Sequence, residues 1–99
     1  MAEQKLYVGA EGVKLVLDVC VDISQSELRH IRYKKPVQGI SGYWEAEKET
    51  DTSISYVFQT GDIDAAGWWE FQSYVETPDW KIPGDKVRQL VEGPIVPFP

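Results

Sequence analysis

Alternation of apolar and polar residues with a period of two is the feature that most restricts how this chain can fold. In residues 13–19 every second position is Val or Leu, and Lys14 and Asp18 stand between them. A β-strand places these two sets on opposite faces. No stretch of ten residues carries the 3.6-residue stripe of an amphipathic helix. The pattern therefore predicts an all-β chain.

The same alternation recurs in about seven short segments, with turn-forming residues roughly every 8–12 positions. This spacing is typical of an antiparallel immunoglobulin-like β-sandwich, and a small closed β-barrel is the alternative. The predicted strands are 6–8, 13–19, 28–35, 43–47, 53–58, 68–76 and 86–91.

Three polar or glycine- and proline-containing stretches separate the later strands. The run 48–52 is predicted to be a hairpin tip, and 61–67 is predicted to cross between strands. Pro78, Pro83 and Gly84 are predicted to bracket a loop around Trp80, because proline cannot donate to a strand ladder.

A chain of 99 residues has the length for one hydrophobic core. We expect residues 1–92 to form a single β-sandwich domain and residues 93–99 to form a Pro-rich C-terminal tail. Prolines favour an extended tail with few backbone hydrogen bonds. Its apolar residues Ile95, Val96 and Phe98 are predicted to contact the domain itself or a neighbouring subunit.

The net charge of −6 argues against nucleic acid and anionic membranes as partners, since both attract clustered Lys and Arg. Residues 1–5 lack the apolar stretch of a signal peptide, so synthesis in a bacterial or host cytoplasm is expected. Cys20 is the single cysteine, and its place in an apolar run predicts a small buried hydrophobe.

The chain lacks the residue patterns of known catalytic and cofactor sites. His30 is its one histidine, which excludes the two-histidine zinc motifs. Neither a nucleophile elbow nor a phosphate-binding glycine loop is present. We therefore expect no enzyme activity and no cofactor.

Asp62 and Asp64 are two residues apart, a spacing that calcium loops use. The following residues 65–68 offer no further carboxylate. Asp62 is therefore predicted to cap a turn through its side chain, and calcium binding is the alternative.

Adjacent strand residues point to opposite faces, so only one of Trp68 and Trp69 can enter the core. We predict that Trp69 is buried and that Trp68 shares an outer face with Tyr74, near Trp80. These three aromatic residues form a candidate protein interface. Loops or the tail could instead cover them, or they could stack sugar rings in a carbohydrate-binding module.

Charge is divided along the chain between a basic run, residues 29–35, and an acidic run, residues 45–51. Neighbouring strands would let the two runs pair across the sheet. If the two runs instead lie on opposite rims of the domain, they would orient the head-to-tail assembly of identical subunits.

The basic strand that ends at Lys35, the strand that carries Trp44 and the segment 60–69 together resemble small immunoglobulin-like modules of tailed bacteriophages. The nearest is the N-terminal domain family of phage baseplate upper proteins. Its Gly-Asp-Leu-x-x-x-Gly-x-Tyr corner is matched in order by Gly61, Asp62, Ile63, Gly67 and Trp69.

The resemblance implies a non-catalytic structural or assembly protein of a phage or prophage tail, baseplate or head–tail region. Such a protein contacts other virion proteins or itself and is incorporated in a virion. Baseplate proteins continue into a large C-terminal extension, so a free-standing structural protein is expected here.

Overall fold

The structure, a computed structural model, describes residues 6–37 and 39–93, which form eight strands and no helix. The strands are β1 (Leu6–Tyr7), β2 (Lys14–Asp18), β3 (Leu28–Lys34), β4 (Ser41–Glu45), β5 (Glu47–Thr50), β6 (Ser53–Val57), β7 (Gly67–Glu76) and β8 (Lys81–Glu92). The all-β prediction is confirmed.

The strands lie in two sheets. The five-stranded sheet has the order β1-β8-β7-β3-β4, and the three-stranded sheet has the order β2-β6-β5. The predicted purely antiparallel arrangement is wrong at one pair, because β1 runs parallel to β8 and Leu6 lies opposite Val91. The next strand, β2, belongs to the other sheet, so β1 has no hairpin partner and takes β8 instead.

Inward-facing side chains of both sheets form the core, as the period of two predicts. In β7 the residues Trp69, Phe71, Ser73 and Val75 are all buried, and those between them are not. Other fully buried apolar side chains are Ile23, Ile31, Ile54, Ile63 and Val91.

Trp44 links the two layers. It lies on β4 of the five-stranded sheet and stacks on Tyr56 of the three-stranded sheet, with centroids 4.9 Å apart and planes 6° from parallel. The rings of Phe58 and Phe71 lie 5.5 and 6.0 Å from it. Tyr33 also stacks on Trp44, with centroids 4.4 Å apart.

The predicted hairpin tip at 48–52 is wrong in extent. Residues 47–50 form β5, and only Asp51 and Thr52 make the turn. Every residue of β5 is exposed, so this edge strand has no apolar face and no alternation by which the sequence could reveal it. The chain changes sheets at Ala46, between β4 and β5.

The last strand begins at Lys81, five residues earlier than the predicted position 86. It contains Pro83 and Gly84, which had been predicted to lie in a loop. The register against β7 shifts between Gln72 and Tyr74, and such a bulge accommodates proline and glycine within a strand.

Cys20 is exposed, so its predicted burial is wrong. Strand β2 ends at Asp18, whose carboxylate accepts a hydrogen bond from the Cys20 N–H at 2.8 Å. The chain turns there, with Cys20 in the left-handed region at φ 67°. The same carboxylate raises the pKa of the Cys20 thiol.

The predicted contacts of Ile95, Val96 and Phe98 lie outside the described residues, as does most of the predicted tail. Within residues 6–37 and 39–93, no helix has the length and apolar character needed to cross a membrane.

Candidate functional site

The outer face of the five-stranded sheet presents the candidate interface. Trp68 is the first outward residue of β7, and 51% of its surface is exposed. It lies opposite Leu90 of β8, which is also exposed. The prediction that Trp68 faces outward while Trp69 enters the core is therefore confirmed.

The loop between β6 and β7 sets where β7 starts. Gly61 adopts φ 85°, a conformation that favours glycine. Asp62 accepts two hydrogen bonds with one carboxylate oxygen, from the Gln59 N–H and the Tyr56 hydroxyl, both at 2.7 Å. The predicted turn-capping role of Asp62 is confirmed. Ile63 then enters the core, only 1% exposed.

The end of this loop fixes the side on which each tryptophan lies. The Trp69 ring N–H donates to the Ala65 carbonyl at 2.9 Å, which satisfies the indole within the core. Gly67 adopts φ 126°, and a Cβ there would lie 2.8 Å from Pro36. The corner residues thus act structurally, and they hold Trp68 outward.

Four cations flank Glu70 and Gln72 on the outer face of β7, and we call Arg32, Lys34, Lys86 and Arg88 the cationic face. All four are exposed. Lys34 of β3 and Arg88 of β8 lie opposite the same residue of β7, Glu70. The Arg88 guanidinium lies over the Trp68 ring, 4.8 Å from its centroid.

Trp68 and two of these cations, Lys34 and Arg88, border a groove of about 460 Å³, which we call the cationic groove. It is lined by Lys34, Lys35, Pro36, Gly39, Trp68, Glu70 and Arg88. Lys35 also forms an ion pair with Asp64 at 2.9 Å. The cations of this cationic groove outnumber its one lining carboxylate, in a chain whose net charge is −6.

The middle of the same face consists of aromatic and cationic pairs. The Arg32 guanidinium lies 4.0 Å from the centroid of the Tyr74 ring. The Tyr74 hydroxyl donates to Glu76 at 2.7 Å, and this hydrogen bond raises the pKa of Tyr74. His30 stacks on Tyr43 at 4.2 Å. Tyr74 is thus on the predicted face but is half-buried beneath Arg32.

Trp80 does not join Trp68 in one site. It lies beyond the other end of β7, in the turn before β8, with 68% of its surface exposed. Glu76, at the end of β7, is eight positions from Trp68, which corresponds to about 26 Å of strand. The structure therefore does not form the predicted neighbouring pair of tryptophans.

The basic and acidic runs lie largely on different sheets. Within the acidic run, only Glu45 lies on β4 beside β3, opposite His30, and most of the others belong to β5. No ion pair joins the two runs among the described residues; those present are Lys14–Glu49, Lys35–Asp64 and Lys48–Asp51. The charges of the two runs therefore do not pair across neighbouring strands, the first of the two alternatives that the sequence left open.

Arg29 does not lie with the other residues of the predicted basic cluster. It lies opposite the buried Val75, on the inner side of β3, and its guanidinium donates to the Ser26 hydroxyl and carbonyl. Instead, Lys86 and Arg88 of β8 lie across β7 from Arg32 and Lys34. Sequence reasoning missed both, because only the pairing of β8 with β7 brings them to this face.

A second groove, of about 250 Å³, lies beside the strands β4 and β5. Glu45, Glu47 and Glu49 line it, and we call it the acidic groove. Lys14 is its one lining cation and bonds Glu49 at 3.2 Å, which lowers the pKa of that carboxyl group. Glu45 and Glu47 have no ion-pair partner among the described residues.

In residues 6–37 and 39–93, no three His, Cys, Asp or Glu side chains are grouped so as to hold a metal ion. Asp64 faces Lys35 and Asp62 faces Tyr56, so the two carboxylates of the calcium alternative have separate partners.

The fold and its surface define a two-sheet, all-β domain with an aromatic and cationic sheet face. No known protein family, curated protein or solved structure gives a significant match to this chain.

Proposed function

We propose that this chain is a non-catalytic β module that binds other proteins through the outer face of its five-stranded sheet. In this proposal it is a structural or assembly component of a tailed phage or prophage particle, in the tail, baseplate or head–tail region. Its partners are other virion proteins or further copies of itself.

The observation that carries the proposal is the half-exposed Trp68 between Leu90 and the cation Arg88. Tryptophan and arginine are the residues most enriched at the energetic centres of protein interfaces. The Arg88 guanidinium already packs over the Trp68 ring, which restricts the ring before binding and lowers the entropy cost of association.

The proposal includes an immunoglobulin-like sandwich as the finer description of the fold. Two facing sheets with a shared aromatic core support it. In the described part of the chain no strand pairing joins the two sheets, which favours the sandwich over the closed barrel.

The carbohydrate-binding alternative has less support, because it needs aromatic rings close enough to stack on one saccharide. Trp68 and Trp80 are at opposite ends of β7, and Tyr74 lies beneath Arg32.

Photo-cross-linking within particles tests the proposal. A photoreactive phenylalanine analogue replaces Trp68 in one variant and Val21 in a matched control. Val21 is similarly exposed, at 42%, but lies in the loop after β2 and lines neither groove. We expect particles purified on a density gradient to contain the chain, and position 68 to give a cross-link to a particle protein identified by mass spectrometry.

Absence of the chain from purified particles would overturn the assembly role. Equal cross-linking from positions 68 and 21 would overturn the assignment of the binding face.

A further inference from the structure

The cationic groove and the acidic groove are two oppositely charged surfaces of one chain. The first has Lys34, Lys35 and Arg88 against Glu70. The second has Glu45, Glu47 and Glu49 against Lys14. Lys35 and Glu49 already form ion pairs within the chain, with Asp64 and Lys14, so the charges that face a partner are mainly Lys34 and Arg88 in the first groove and Glu45 and Glu47 in the second.

The two grooves cannot neutralise each other within one molecule. The cationic groove lies over the outer face of β3, β7 and β8, at the end of the sheet where Lys34 pairs with Ser41. The acidic groove lies beside the β4–β5 edge and extends over the three-stranded sheet, where Lys14 and Val57 pair. Contact between them therefore requires a second molecule.

We propose that the acidic groove of one copy of this chain docks on the cationic groove of another, so that copies associate head to tail. The proposal rests on the proposed function and names the partner of that face as a second copy. Two different surfaces meet in each contact, so association continues into a ring or a filament instead of stopping at a dimer.

The spacing of the charges fits this contact. Lys34 and Arg88 flank the same residue of β7 and so lie two strand spacings apart, about 10 Å. Glu45 and Glu47 are two residues apart along the chain, so their Cα atoms lie within about 7 Å of each other. The long side chains of lysine and arginine cover the difference.

The acidic groove is also accessible to a partner. Strand β5 is the outer strand of its sheet and is exposed at every residue. Glu45 and Glu47 have no cation partner within the described chain, and a second copy supplies two. Trp68 borders the cationic groove, so it is covered in the same contact.

Complementation between two variants tests the proposal. Lys34→Gln/Arg88→Gln removes the cationic surface, and Glu45→Gln/Glu47→Gln removes the acidic one. All four side chains are exposed, so both variants should fold, which circular dichroism and thermal melting check. Lys81→Gln/Asp79→Asn is the control for the loss of two exposed charged side chains, because it alters neither groove.

Sedimentation velocity in low salt gives the readout. The wild-type chain and the control should increase in average mass with concentration, beyond a dimer. Each groove variant alone should remain monomeric. An equimolar mixture should form a one-to-one dimer and stop there, since one intact pair of surfaces remains. Raising the ionic strength from 0.05 to 0.5 M should weaken association roughly tenfold.

Several results would overturn the head-to-tail contact: a monomeric wild-type chain at every concentration, groove variants that assemble as the wild type does, or a mixture that stays monomeric. A monomeric chain that still cross-links to another particle protein from position 68 would refute this inference and leave the proposed function standing. Self-association of a chain that is absent from purified particles would refute the proposed assembly role and support the head-to-tail contact.

Discussion

Asp62 joins the β6–β7 loop to β6 through a single carboxylate oxygen. The Tyr56 hydroxyl and the Gln59 N–H both donate to it. Burial of the Tyr56 ring, followed by its bond to Asp62, raises the pKa of Tyr56 to about 12. The loop geometry that orients Trp68 therefore depends on a residue that does not belong to the binding face.

Replacement of Asp62 by alanine should destabilise the protein by about 1–3 kcal/mol, because two donors lose their acceptor. The pKa of Tyr56 should fall towards its usual value without reaching it, since burial remains. Urea denaturation and absorbance titration of the tyrosines measure the two effects.

Asp64→Ala is the matched control for Asp62→Ala. Asp64 is exposed and pairs with Lys35 at the surface, so its loss should cost no more than about 1 kcal/mol. Equal losses of stability in the two variants would contradict the structural role of Asp62.

At the scale of the elements, the β7–β8 hairpin depends on one close approach of its strands. A Cβ on Gly84 would lie 2.0 Å from the hydroxyl oxygen of Ser73. Ser73 is buried, and the register shifts beside it. A glycine at position 84 therefore permits the bulge that carries β8 past Pro83.

Gly84→Ala should destabilise the protein by roughly 1–3 kcal/mol through overpacking. Gly93→Ala is the control, because the nearest atom to a Cβ there is 3.7 Å away. Adding Ser73→Ala should recover part of the loss, as a double-mutant cycle of unfolding free energies would show. Additive losses would mean that the strands do not meet at these two residues.

At the scale of the whole molecule, the two sheets are held together by stacked aromatic rings. Trp44 contacts Tyr56 and Phe58 of the chain around β6 as well as Tyr33 and Phe71 of its own sheet. Its neighbour Tyr43 points outward and is 58% exposed. Of these two adjacent residues of β4, Trp44 therefore packs between the layers and Tyr43 lies at the surface.

Trp44→Ala should cost about 3–5 kcal/mol, because truncation of a packed aromatic side chain leaves a cavity between the sheets. Tyr43→Ala should cost about 1 kcal/mol, the value of its stacking on His30. Chemical denaturation measures both free energies. Comparable costs would contradict the role of Trp44 as the link between layers.

The charges of the molecule also act at this scale. The chain has more carboxylates than cations, but its charges are not evenly distributed, because the cationic face lies on the outer side of the five-stranded sheet. The net charge describes the molecule as a whole, and a local surface can have the opposite sign.

Local alternation was sufficient to predict the all-β class, most strand positions, and the choice between Trp68 and Trp69, because a strand's faces depend only on its own residues. The turn role of Asp62 was predictable for the same reason, since its partners are within six residues. Strand β5 was not, because a fully exposed edge strand has no alternation to read.

The tertiary structure alone decided which strands are neighbours. Pairing of β8 with β7 brought Lys86 and Arg88 to the face of Trp68, and the crossing at Ala46 carried the acidic run to the other sheet. These contacts join residues distant along the chain, and their free energy comes from packing two whole layers together. No local sequence pattern reflects that packing, so the cationic face could not be predicted from the sequence.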